Sequence, residues 1–105
     1  MRLSNQEDND AQTVTQHKVE LPSLYEVIMH NDDYTTMDFV IHVLQKFFQK
    51  TADQAHEIML RVHHDGQAQC GVYTKEVAEA KAFKVNKYSR SKGHPLKCSY
   101  QPCQS

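Results

Sequence analysis

The rhythm of apolar and polar positions changes along the chain, and each change predicts an element. In "SLYEVIMH" (Ser23 to His30) Tyr25, Val27 and Met29 alternate with other side chains and β-formers dominate, which predicts a strand. From near Thr36 to about Gln49 the spacing becomes helical, with Thr35 and Thr36 as N-cap candidates and Asp38 completing a weak capping box after Thr35. Along that helix Met37, Phe39, Val40, Ile41, Val43, Leu44, Phe47 and Phe48 cover an arc of roughly 200°, wider than one core-facing stripe. A helix of this kind must be covered on two sides or leave apolar surface for a ligand.

"TADQ" (Thr51 to Gln54) is a second capping signature, and Ala55, Ile58, Met59 and Val62 then follow i, i+3, i+4, i+7 until Gly66 stops the helix after "HHD". "QAQCGVYT" alternates again, with Ala68, Cys70 and Val72 expected to face one way and Gln67, Gln69 and Tyr73 the other. Thr74 is expected to cap a third helix running to about Arg90, with Val77, Ala78, Val85 and Tyr88 on its inner side. "SKGHP" breaks it, and "LKCSY" sets Leu96, Cys98 and Tyr100 against Lys97 and Ser99 as a last strand. The order βααβαβ predicts an α+β fold in which a three-stranded antiparallel sheet packs against three helices. Residues 1–21 are polar and without period, which predicts a flexible arm ahead of a single core domain, 22–105.

Composition narrows the function classes. A chain of 105 residues supports one modest core. A net charge of −1 offers no basic excess for nucleic acid. Nothing in the sequence is apolar for long enough to span a bilayer, and the start is not a secretory signal, so the expected compartment is the cytoplasm. Three cysteines without a CxxC pair agree with reduced thiols.

Enzymatic chemistry finds little support. A Cys70 nucleophile with His63 or His64 and Asp32 is conceivable, yet Cys70 keeps register with Ala68 and reads as a small core residue. His94, Cys98 and Cys103 lack the second ligand pair of a usual zinc site. There is no P-loop, GxGxxG or GxSxG, and "NDDYTTMD" lacks the glycine and closing glutamate of a calcium loop. No cofactor is expected.

Binding remains, and its signal is "NDDYTTMDFVIHVLQKFF", followed by "MLRVHHDGQAQCGVYTKEVAEAKAFKVNKYSR" and "HPLKC". These separated motifs, in this order, closely resemble the ClpS family, bacterial adaptors that deliver N-degron substrates to the ClpAP protease. The resemblance covers about Pro22 to Cys98. It implies a fold similar to the C-terminal domain of the ribosomal stalk protein, no catalysis, and a monomer with a disordered N-terminal extension. It also implies that Asn31, Asp32 and His63 bind the substrate's α-amine and first peptide group, with Asp33 adding local negative charge and loop structure. Thr35, Met37, Val40, Met59, Val62 and Leu96 match the family's side-chain pocket, which takes Leu, Phe, Tyr or Trp. Met37 would stand at its mouth and crowd β-branched residues. Glu76 and Lys81 match positions that dock on the N-terminal domain of ClpA.

Plainer readings stand beside these. Periodicity alone makes Met59 and Val62 core residues, and Asp32, Asp33 and His63 could merely complement helix dipoles. Lys81, between Val77 and Val85 on the helix wheel, could snorkel to solvent. A docking module of the stalk-domain type would use the same fold without recognising an amine. The chain departs from the family pattern at Thr36, where ClpS proteins commonly carry proline, and Cys103 has no functional account.

Overall fold

The computed structural model describes residues 23–104; the expected arm, residues 1–21, lies outside them. Strand β1 (Leu24–His30) is followed by α1 (Met37–Phe48), α2 (Ala52–Asp65), β2 (Gln67–Thr74), α3 (Lys75–Ser91) and β3 (Lys97–Pro102). The sheet order is β2-β1-β3, with both pairings antiparallel, so the βααβαβ order read from the sequence is the order observed. β1 is central, and its Val27 and Met29 are fully buried.

The helices begin where their caps dictate. Thr36 caps α1, its hydroxyl oxygen accepting from the Phe39 N–H at 3.1 Å, while Thr35 is drawn away to Asp32 and builds no capping box with Asp38. α2 has the full reciprocal box between Thr51 and Gln54 and ends on Gly66 at φ 87°. Thr74 is the N-cap of α3 by backbone geometry, but its side chain makes no capping bond.

Two facing expectations fail, each for a physical reason. Val27 pairs with Gly71 but Ile28 with Gln69, so Cys70 is an extra residue in β2, a bulge that resets the alternation beyond it. Val72 therefore points outward and Tyr73 inward onto the core, the reverse of the strict period-two reading. Gly71 is needed there because a β-carbon at that position would collide with the Tyr73 ring. On α3 the buried stripe is Ala78, Ala82, Val85 and Ser89, with Val77 exposed. The small residues let α3 lie close on β3 and β1.

Lys81 does not snorkel outward. Its Nζ donates to the Phe47 carbonyl at 2.7 Å, satisfying an end carbonyl of α1, and sits over the Tyr73 and Phe48 rings. The wide apolar arc of α1 is used on several sides. Val40, Val43, Leu44 and Phe48 are buried, Phe39, Ile41 and Phe47 are half-buried, and Met37 remains 52% exposed. On the other edge, Asn86 donates to the Cys98 carbonyl at 3.0 Å and accepts from the Cys98 N–H at 2.7 Å, covering part of β3.

Candidate functional site

The loop between β1 and α1 is organised by one carboxylate. Asp32 Oδ1 accepts from the N–H groups of Tyr34 at 2.8 Å and Thr35 at 2.7 Å, and Oδ2 accepts from the Thr35 hydroxyl at 2.7 Å. Burial opposes ionisation of Asp32, but these three donors and the nearby His94 outweigh it and hold the carboxyl below the usual carboxylate range. A carboxylate offers about four lone-pair sites, so Oδ2 can still accept one further hydrogen bond.

The backbone brings the second half of the site to this loop. The Asn31 N–H donates to the Gly66 carbonyl at 2.9 Å, tying the loop to the end of α2, where His63 is exposed in the last turn. Asn31, Asp32, Asp33, Thr35 and His63 thus line one cavity of about 270 Å³ together with Met37, Val40, Met59 and Val62. Met59 and Val62 are at once core residues and cavity wall, being 4% and 3% exposed, so the two readings of these positions describe the same atoms. The remaining expected pocket residue, Leu96, is buried in the core and is not on the cavity wall. Glu76 is exposed on α3, away from this cavity, and lines a different groove.

The cavity combines acceptors with apolar surface, and its volume is at the small end for ligand sites. It suits a cation joined to one apolar side chain better than a large cofactor. The thiols are poor candidates for chemistry: Cys70 and Cys98 are buried, and the Cys70 thiol and burial push the Cys98 thiol well above its usual range. His94 has its ring stacked on Phe39 at 3.9 Å rather than turned to a cysteine.

Residues 20–99 match the family described as ATP-dependent Clp protease adaptor protein ClpS. The chain belongs to the ClpS family. It is 53% identical over 90 residues to the ClpS adapter of Nitratidesulfovibrio vulgaris, covering 86% of both chains. It is 52% identical over 95 residues to that of Sodalis glossinidius, covering 90% of both. A solved structure described as Agrobacterium tumefaciens ClpS2 bound to L-phenylalaninamide is similar, with a TM-score of 0.77 and 34% identity over 79% of this chain and all of that one. As a ClpS protein the chain is an adaptor of the Clp protease and not an enzyme.

Two features of this loop were not anticipated: the sequence reading gave loop structure to Asp33, whereas Asp32 makes the loop's hydrogen bonds, and His94 lies near it. Asp32 organises the loop as well as charging it, a role whose signal is the Asp-x-x-Thr spacing from Asp32 to Thr35. His94 was weighed only as a zinc ligand, and its placement near Asp32 depends on the turn after α3, which no local pattern reports.

Proposed function

We propose that this adaptor binds proteins by a free N-terminal Leu, Phe, Tyr or Trp. It delivers them to ClpAP by docking on the N-terminal domain of ClpA, acting in the cytoplasm as a monomer. The observation that carries the reading is a small cavity whose lining combines hydrogen-bond acceptors with apolar side chains. An N-terminal amine has a reference pKa of about 7.7 to 8.0 and is mostly an ammonium near neutral pH, with three donors. Asn31, Asp32, Asp33 and His63 offer it acceptors and negative charge, and the open site on Asp32 Oδ2 is available to one of its protons. Met37, Val40, Met59 and Val62 take the side chain, whose burial contributes about 1.5 to 3 kcal/mol. L-phenylalaninamide, the ligand named for the Agrobacterium ClpS2 structure, pairs a free α-amine with a phenyl group.

For docking, Glu76 is exposed on the first turn of α3 and has no ion pair among the described residues. Lys81 has one donor on Phe47 and two left for a partner.

Fluorescence-anisotropy titration tests the amine reading, with peptides beginning Leu or Phe beside acetylated and Val-initial versions. Tight binding of the free Leu and Phe peptides alone is expected. Equal affinity across the series would sink the proposal and favour a docking module that ignores the amine.

A further inference from the structure

β3 is an edge strand, and only part of its outer edge has a partner. Asn86, on α3, bonds both the N–H and the carbonyl of Cys98, so the backbone groups of Cys98 point away from β1. In an antiparallel pairing that direction recurs at every second residue, so those of Tyr100 and Pro102 also point outward. The Cys103 N–H, donating to the Leu24 carbonyl at 2.9 Å, keeps the same alternation. Pro102 has no N–H to offer. Among the described residues, the Tyr100 N–H and the carbonyls of Tyr100 and Pro102 are therefore left open.

Beside this edge, α3 and β3 enclose a groove of about 620 Å³. The short turn 92–96 reverses the chain, so α3 runs antiparallel to β3. Asn86 stands at Cys98, and Phe83, Glu79 and Glu76 follow in the direction of Tyr100 and Pro102. These last three α3 side chains are exposed, Phe83 at 65%. The groove lining contains Glu76 and Glu79 but no cationic side chain, and neither carboxylate is in an ion pair among the described residues. An open strand edge, an exposed aromatic ring and uncompensated negative charge thus lie together. An unpaired edge is a template for a further strand.

We propose that the α3–β3 groove binds a short extended segment of a partner protein, with the pattern Lys/Arg-x-apolar, added antiparallel to β3. The apolar residue pairs with Tyr100 and exchanges both backbone hydrogen bonds with it. Paired residues share a face of the sheet, so its side chain lies beside the Tyr100 ring and against Ala80 and Phe83. Two residues earlier, opposite Pro102, the N–H donates to the Pro102 carbonyl and the basic side chain reaches Glu79 and Glu76. The spacing fits, because two strand residues advance about 6.7 Å and the helix from Glu79 to Phe83 about 6 Å. Asn86 holds the next position, opposite Cys98, and ends the pairing there. So short a contact is weak and reversible. It shares Glu76 with the ClpA docking proposed above but does not rest on that reading.

Titration of the nitrogen-15-labelled full chain with the peptide amide Ac-Gly-Lys-Thr-Val-Gly tests the contact without ClpA. Acetylation removes the amine that the cavity beside Asp32 would bind, so the outcome is independent of that site. Saturable shifts are expected at the amides of Glu79, Phe83 and Tyr100, with slower hydrogen exchange at Tyr100 and no change at Asn31 or Asp32. Glu76→Lys with Glu79→Lys should weaken binding about tenfold, and a peptide with Glu in place of its Lys should recover it on that variant. Phe83→Ser should weaken binding several-fold. Shifts that do not saturate, shifts centred elsewhere, or equal binding of the Lys and Glu peptides to the parent protein would overturn the proposal.

Discussion

The Asn31 N–H and the Gly66 carbonyl, 2.9 Å apart, join the β1–α1 loop to the end of α2, the two segments of the proposed amine site. Gly66 stands at φ 87°, a left-handed position that ends α2, and a β-carbon there would meet nothing within 4 Å. Gly66→Ala therefore introduces backbone strain without a clash, costing about 1 to 2 kcal/mol. Urea unfolding should show that loss. Relief of the strain moves the Gly66 carbonyl, so peptide affinity should fall in the same variant, measured by anisotropy on protein that is still folded.

Asp32 has a structural role and an electrostatic one, and substitutions separate them. Asp32→Asn keeps an oxygen for the Tyr34 and Thr35 N–H groups but removes the charge, so its stability should stay within about 1 kcal/mol of the parent. Its affinity for a free N-terminus should drop about 10- to 100-fold, the loss of a charged hydrogen bond worth about 1.5 to 3 kcal/mol. Asp32→Ala should lose both. Unchanged binding in the asparagine variant would remove Asp32 from the amine site.

The same carboxylate sets the acid limit. Its folded pKa lies below the unfolded value of about 3.9, so its contribution to stability is complete above that value and disappears as the pH falls through the folded one. Peptide binding should persist to below about pH 4 and decline above about pH 8 as the substrate amine loses its proton. Anisotropy across that range checks both limbs.

Met37, half exposed at the cavity wall, is expected to select by crowding rather than by attraction. Met37→Ala should admit Val- and Ile-initial peptides and narrow the preference for Leu over Val by about tenfold or more, within the range for methylene-sized discrimination. Paired titrations with Leu and Val peptides measure it.

Lys81 holds the end of α1 through Phe47, so Lys81→Met should lower stability by about 1 kcal/mol through the lost hydrogen bond. Glu76→Ala, on an exposed first turn, should change stability by less than about 0.5 kcal/mol. If both variants slow ClpAP degradation of a Leu-initial substrate, only the Glu76 effect reads directly as docking. Thermal unfolding beside the degradation assay distinguishes the two.

Local pattern alone determined the caps at Thr36 and Thr51, the strand and helix order, the burial of Cys70 and the excess of apolar surface on α1, because each depends on residues a few positions apart. The set of Asn31, Asp32, Asp33 and His63 was legible only through resemblance to a family, since no periodicity relates a loop to the end of the following helix. Tertiary structure decided the rest. The bulge at Cys70 turned Val72 out and Tyr73 in, because the pairing of β2 depends on β1 and not on its own alternation. Lys81 found its partner on α1, and Asp32 a neighbour in His94, because groups distant in sequence were brought together by packing. Whether a polar side chain is a surface charge or a built part of a site depends on those neighbours, and neighbours across the fold are what a linear pattern does not contain.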